Sequence, residues 1–105
     1  MQLESGGRLN ARLLDTDTEE ARYALELLTA GERWSTTARV AAARGEVSWG
    51  EWAGPGAPPD WLCRYARAAL RGAWRDRENG GWARRLTRWR EAPAPGSDRE
   101  GGAAG

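Results

Sequence analysis

The chain has 105 residues, a formal net charge of +1, a single cysteine, and no histidine, lysine, phenylalanine or isoleucine. That length accommodates one domain, a lone Cys63 excludes an internal disulfide, and no apolar run reaches the ~20 residues of a membrane-spanning helix. Without His or Lys the commonest general bases and Schiff-base amines are missing, so no catalytic residue, metal site or cofactor is expected. A reducing cytoplasm is the expected setting, because the N-terminus lacks a basic start followed by an apolar stretch.

All sixteen basic residues are arginine, and they are unevenly placed. Residues 1–60 hold six Arg and ten acidic residues, a net charge of −4. Residues 61–91 hold nine Arg and three acidic residues, a net charge of +6. Arginine in place of lysine, with abundant Ala and Gly, is also what a GC-rich genome writes, so composition alone assigns these residues no role. Their uneven placement is the more informative feature. The seven Trp are the largest apolar groups available to a chain with two Val and ten Leu, and a domain this small is expected to bury most of them.

In chain order, the pattern predicts an all-α protein: a compact bundle of about four helices, with a Pro/Gly-rich central loop and disordered ends. Residues 1–8 read as a flexible N-terminus, 9–92 as a single helical domain and 93–105 as a disordered tail. Leu9, Leu13 and Leu14 are placed in a short turn. A first helix is predicted from Thr18 to Ala30, after the capping patterns Thr16/Glu19 and Asp17/Glu20. Ala21, Ala24, Leu25 and Leu28 form its apolar face, and Gly31 ends it. A second helix is predicted to start after Ser35 as its N-cap and to end at Arg44, before Gly45. EVSWGEW, residues 46–52, alternates weakly like a strand. Ser48 with Glu51 favours a short helical turn at 49–53 instead.

GPGAPP, residues 54–59, breaks regular structure and separates an acidic half (9–53) from a basic half (60–92). A third helix, capped by Asp60, is predicted to run to Glu78. Leu62, Tyr65, Ala66, Ala69 and Ala73 share its inner face, with Leu70 and Trp74 at the edge. Asn79, Gly80 and Gly81 make a turn. A fourth helix is predicted over 82–91, where Trp82, Leu86 and Trp89 follow an i, i+4, i+7 spacing and point to the core.

One constellation points to function. Arg64, Arg67, Arg71 and Arg75 line the outer face of the third helix, and Arg84, Arg85, Arg88 and Arg90 add a second basic surface after the turn. Guanidinium forks pair bidentately with phosphate, so two basic helices are expected to track a nucleic-acid backbone, DNA or RNA, with little base reading. The alternative partner is an acidic protein surface, with the chain a helical adaptor or small subunit that contacts no nucleic acid. Self-association is compatible with the Ala-faced helices. Three other patterns fit less well. Ala41 and Gly45 have a helix-turn-helix offset, but Arg44 and Gly50 spoil it. GGWARRLTRWR has the Trp/Arg content of an interfacial amphipathic helix, yet its apolar residues are needed in the core, and no membrane contact is expected. Cys63 reads as a packing thiol with no histidine to activate it.

Overall fold

The computed structural model describes residues 6–91. It overturns the all-α expectation: the chain forms a five-stranded antiparallel sheet with one helix packed on one face. The strands are β1 (Gly6–Thr16), β2 (Glu20–Thr29), β3 (Arg33–Ala41), β4 (Val47–Trp49) and β5 (Arg85–Glu91), in spatial order β4-β3-β2-β1-β5. The helix α1 (Asp60–Asp76) follows the Pro/Gly loop and ends in a 3-10 turn at Arg77–Asn79. The tail over 93–105 lies outside the described residues. The expected loose N-terminus gives way to β1 at Gly6.

Three of the predicted helices are strands, and in β2 the apolar residues come close to satisfying both periods at once. In β2, Ala21, Tyr23, Leu25 and Leu27 alternate strictly with Arg22, Ala24 and Glu26, and all four are buried. A helix would bury Ala21 and Leu25 too, but it would leave Tyr23 and Leu27 off the stripe. In β3, Trp34, Ala38 and Val40 face inward, and the aromatic and β-branched content of RWSTTARVA suits a pleated surface. The turn placed at Leu9–Leu14 is β1, where Leu9 and Ala11 are buried; a bulge between Leu13 and Asp15 leaves Leu14 45% exposed. The helical turn at 49–53 is absent. Val47–Trp49 pairs with Ala38–Val40, and Ala53 bridges Ser35, so the weaker strand reading of that stretch holds.

The residues read as helix caps close hairpins instead. Asp17 Oδ1 accepts hydrogen bonds from the backbone N–H groups of Glu19 (2.8 Å) and Glu20 (2.9 Å) in the β1–β2 turn. These bonds hold the Asp17 carboxyl below its ordinary pKa. Gly45 ends the β3–β4 connection at φ +74°, and Trp74 of α1 fills the space a side chain there would need. The Trp74 indole N–H donates to Ala42 O at 2.8 Å, fastening the end of α1 to the same connection.

The helix after the Pro/Gly loop lies where its periodicity places it. Leu62, Ala66, Leu70 and Ala73 are buried against the sheet, with Tyr65, Ala69 and Trp74 partly covered. Pro59, rather than Asp60, occupies the N-cap position, and Asp60 is the first helical residue. Gly7 lets the start of α1 approach β1, since a Cβ there would lie 3.0 Å from both Leu62 and Trp61. Trp34, 2% exposed, fills the centre of the inner layer, and its indole N–H donates to Pro55 O at 3.0 Å. Tyr23 is fully buried and donates to Ala83 O at 2.7 Å, joining the middle of the sheet to the segment that leads into β5.

The fourth predicted helix is β5. In a helix, Leu86 and Trp89 share a face; in a strand an offset of three puts them on opposite faces. Leu86 is buried beneath the helix layer, and Trp89 stands on the other side, 55% exposed. Trp89 is therefore not a core residue, whereas Trp82, just before the strand, packs against the core margin. No helix among the described residues is long and apolar enough to cross a membrane.

Candidate nucleic-acid interface

The eight arginines singled out above do not form two adjacent basic helices. Arg64, Arg71 and Arg75 remain exposed on the outer side of α1. Arg67 is exposed too but tethered: it donates to Val47 O, and its guanidinium stacks 4.4 Å from the centre of the Trp49 ring, so it ties α1 to β4. Arg84 lies in the segment before β5, where its carbonyl accepts from Leu13 N–H. On β5, Arg88 and Arg90 pair with Leu9 and Gly7, which places them on the helix side. Arg90 stacks over Tyr65 at 5.5 Å, and Arg88 donates to Thr87 O. Arg85 falls on the opposite, uncovered face of the sheet.

That open face is a surface the sequence reading did not see. Strand pairing fixes its members, because cross-strand partners share a face. Arg8 faces Trp89, Asn10 faces Thr87, and Arg12 faces Arg85 along the β1–β5 ladder. Further across lie Arg22, Ala24, Glu26 and Leu28 of β2, Arg33, Ser35, Thr37 and Arg39 of β3, and Ser48 of β4.

The charges on this face divide into two groups. Arg22 is paired with Asp15 at 2.5 Å, Arg33 with Glu26 at 3.3 Å, and Arg39 with Glu20 at 4.0 Å. The Arg22 contact lowers the Asp15 pKa, mainly through the direct hydrogen bond. Glu26 also accepts from Asn10 Nδ2 at 3.2 Å. Arg22 and Arg39 are themselves cross-strand partners, and each has its own carboxylate. Arg12 and Arg85 are the other like-charged pair, and among the described residues neither meets a carboxylate. Arg8 is likewise without one. The β1–β5 end of the face therefore carries Arg8, Arg12 and Arg85 without ion pairs among the described residues, with Glu91 opposite Gly6 at its edge.

A hollow of about 470 Å³ lies at that end, lined by Asn10, Arg12, Ala24, Glu26, Ser35, Arg85 and Thr87. Its floor is low because Ala24 is small. Through Ala24, Ser35 and Thr36 it continues into a second hollow of about 830 Å³ that reaches Arg39, Ser48 and Glu51. A trough thus runs across the strands from β5 towards β4. A third hollow, about 200 Å³, flanks Trp89 with Arg8 and Leu28.

Among the described residues no group of three His, Cys, Asp or Glu side chains is placed to hold a metal ion. Burial and the nearby Asp60 carboxylate raise the Cys63 thiol pKa, which disfavours the reactive thiolate. Arg8, Asn10 and Arg12 escaped sequence reasoning because β1 was read as a loose end and a short turn, and Thr87 and the outward Trp89 because a strand's period was read as a helix's. The available signal was the alternation of Arg8, Asn10 and Arg12 with Leu9, Ala11 and Leu13. Comparison with protein-family models, with curated proteins and with solved structures finds no match to this chain, so the candidate interface is read from its geometry.

Proposed function

We propose that this is a small nucleic-acid-associated accessory protein that binds the phosphate backbone through the open face of its sheet. The observation carrying this reading is the facing pair Arg12 and Arg85. Two like charges directly opposite on neighbouring strands are destabilising unless an anion lies between or beside them. Asp15, Glu20 and Glu26 are each engaged by another arginine, and neither Glu91, opposite Gly6 at the end of the ladder, nor Glu51, at the far end of the trough, forms an ion pair with Arg12 or Arg85, so an external anion would supply their counter-charge. A phosphate is the anion that guanidinium forks grip best, and a trough beside the pair gives a chain of phosphates a path. The basic row on α1 lies on the other side of the molecule, where one bound strand does not also reach the trough.

Binding of labelled oligonucleotides, followed by fluorescence anisotropy across salt concentrations, tests this. Log affinity is expected to fall linearly with log salt. Arg12→Gln with Arg85→Gln removes two phosphate contacts and is expected to shallow the slope by roughly 1.4–1.8. Arg64→Gln, Arg71→Gln and Arg75→Gln together are expected to change it little. Absence of binding at low salt overturns the proposal and favours the protein-subunit alternative. Loss of binding only in the α1 variant moves the site to the helix and also overturns it.

A further inference from the structure

Resting on that reading, we infer that the bound nucleic acid is single-stranded, and that Trp89 is a stacking platform for an unpaired base. Along the β1–β5 ladder the open face presents Trp89 with Arg8, then Thr87 with Asn10, then Arg85 with Arg12. Each step is two residues, roughly 6.6 Å, so the strand positions of Trp89 and of the facing pair Arg12 and Arg85 lie roughly 13 Å apart on one surface. An aromatic plane, a polar step and a cationic pair are what a base, a sugar and a phosphate each require.

The state of the indole supports this assignment. Trp49, Trp74, Trp82 and Tyr65 each carry an arginine over the ring, whereas Trp89 carries none among the described residues. Trp89 is the tryptophan left broadly open, at 55% exposure. It is also seated. A Cβ on Gly6 would come within 2.5 Å of Trp89 Cζ2 and 2.9 Å of Nε1, so the ring rests directly on the strand at a position only glycine accommodates. An indole held against a backbone keeps its orientation and gives up little freedom when a base stacks on it.

The shape excludes a duplex as the preferred ligand. Reading a major groove requires an element that stands proud of the surface, a helix or a two-stranded ribbon. The helix is on the opposite face, and the surface beside Trp89 is a shallow trough. Duplex bases are stacked on one another and offer no free plane to an indole. Splayed single-strand bases do, and stacking of this kind tolerates any sequence.

The test compares a labelled oligothymidylate with a duplex of the same length, using the full-length chain at fixed salt. The single strand is expected to bind tighter. Trp89→Ala should weaken single-strand binding roughly 5- to 150-fold, the range that loss of one base–aromatic stack produces, and leave duplex binding nearly unchanged. Trp89→Phe should restore most of the affinity. Gly6→Ala, which displaces the ring without removing it, should reproduce part of the loss. Trp89→Ala gives up the ring's contact with Gly6 and should lower Tm, so binding is compared well below both melting transitions, which separates lost stacking from lost folding. Equal affinity for both ligands with no effect of Trp89→Ala overturns the single-strand inference while leaving phosphate binding intact. Failure of both ligands to bind removes the broader reading as well. Displacement of the oligothymidylate by polyglutamate at matched charge concentration overturns the inference in favour of an acidic polypeptide.

Discussion

Replacing Arg85 by Gln should make the protein more stable and a weaker ligand binder at the same time. Arg12 and Arg85 are directly opposite on β1 and β5, and a guanidinium separation of about 7 Å, slightly beyond the ~4.5–5.5 Å between opposite Cβ atoms, sets the scale of their repulsion. In water, two unit charges at that distance repel by roughly 0.6 kcal/mol before screening. A Debye length of ~30 Å at 0.01 M salt leaves about 0.5 kcal/mol of this, and ~8 Å at 0.15 M leaves about 0.25 kcal/mol. For a domain of this size, relief of that repulsion raises Tm by roughly 2–4 °C at low salt and half as much at physiological salt. Calorimetry of the parent and Arg85→Gln at both ionic strengths measures the difference. Arg22→Gln serves as the control of opposite sign, since Arg22 also faces an arginine but holds Asp15 at 2.5 Å. Its loss should lower Tm. A lower Tm for Arg85→Gln, or a gain that does not shrink with salt, would refute the view that the pair stands unbalanced for an external anion.

Two further perturbations address the fold that presents this face. Leu70→Ala removes a fully buried side chain from the inner face of α1 and should cost about 2–5 kcal/mol, seen as a lower urea midpoint at unchanged m value. An effect below about 1 kcal/mol would mean that α1 does not pack on the sheet as described. Burial raises the Tyr23 hydroxyl to a pKa of about 12, so the folded state keeps its proton where the unfolded chain, at about 10, releases it. Stability from this group is fully present below pH 10 and is lost as pH rises through 12, by at most about 3 kcal/mol. Tyr23→Phe should be less stable at neutral pH by about 1 kcal/mol, because Ala83 O loses its donor, and should lack that component of the alkaline decline in a pH series of urea melts.

The sequence carried the helix of residues 60–76 clearly because its length and composition admit one period: apolar residues at 62, 66, 70 and 73 fit no strand. The strands were ambiguous for a physical reason. Ala21 and Leu25 are four apart, an even offset that keeps residues on one face of a strand and nearly on one face of a helix. The deciding residues were those at odd offsets, Leu86 with Trp89 above all. The turn signals were equally double-edged. Asp17 offers its carboxylate to two backbone N–H groups whether a helix or a hairpin follows, and Gly31 and Gly45 stop either element. Breaks near residues 17, 31 and 45 recur at a spacing suited to a strand meander, and that regularity was the unread evidence. The basic second half was legible as composition, but its division between two faces was not. That division depends on strand parity and on which face α1 covers.

The inward and outward residues of β5 are inverted relative to what a small core needs, and this bears on the role of the open face. Leu86 is the only buried residue of the strand, and Arg88 and Arg90 occupy the next two positions on the helix side. Charged residues on an edge strand discourage pairing with another chain, which accounts for those two arginines without reference to function. Trp89 has no such account. In a chain without Phe or Ile, an indole is the largest apolar group available, and a position shift of one residue would have carried it beneath α1, where its burial would stabilise the domain. Instead it stands on the solvent face, with Gly6 beneath it in place of any side chain. A ring kept out of the core and given a glycine seat beside Arg8, Arg12 and Arg85 has the placement that the proposed single-stranded ligand requires, and core packing does not account for it.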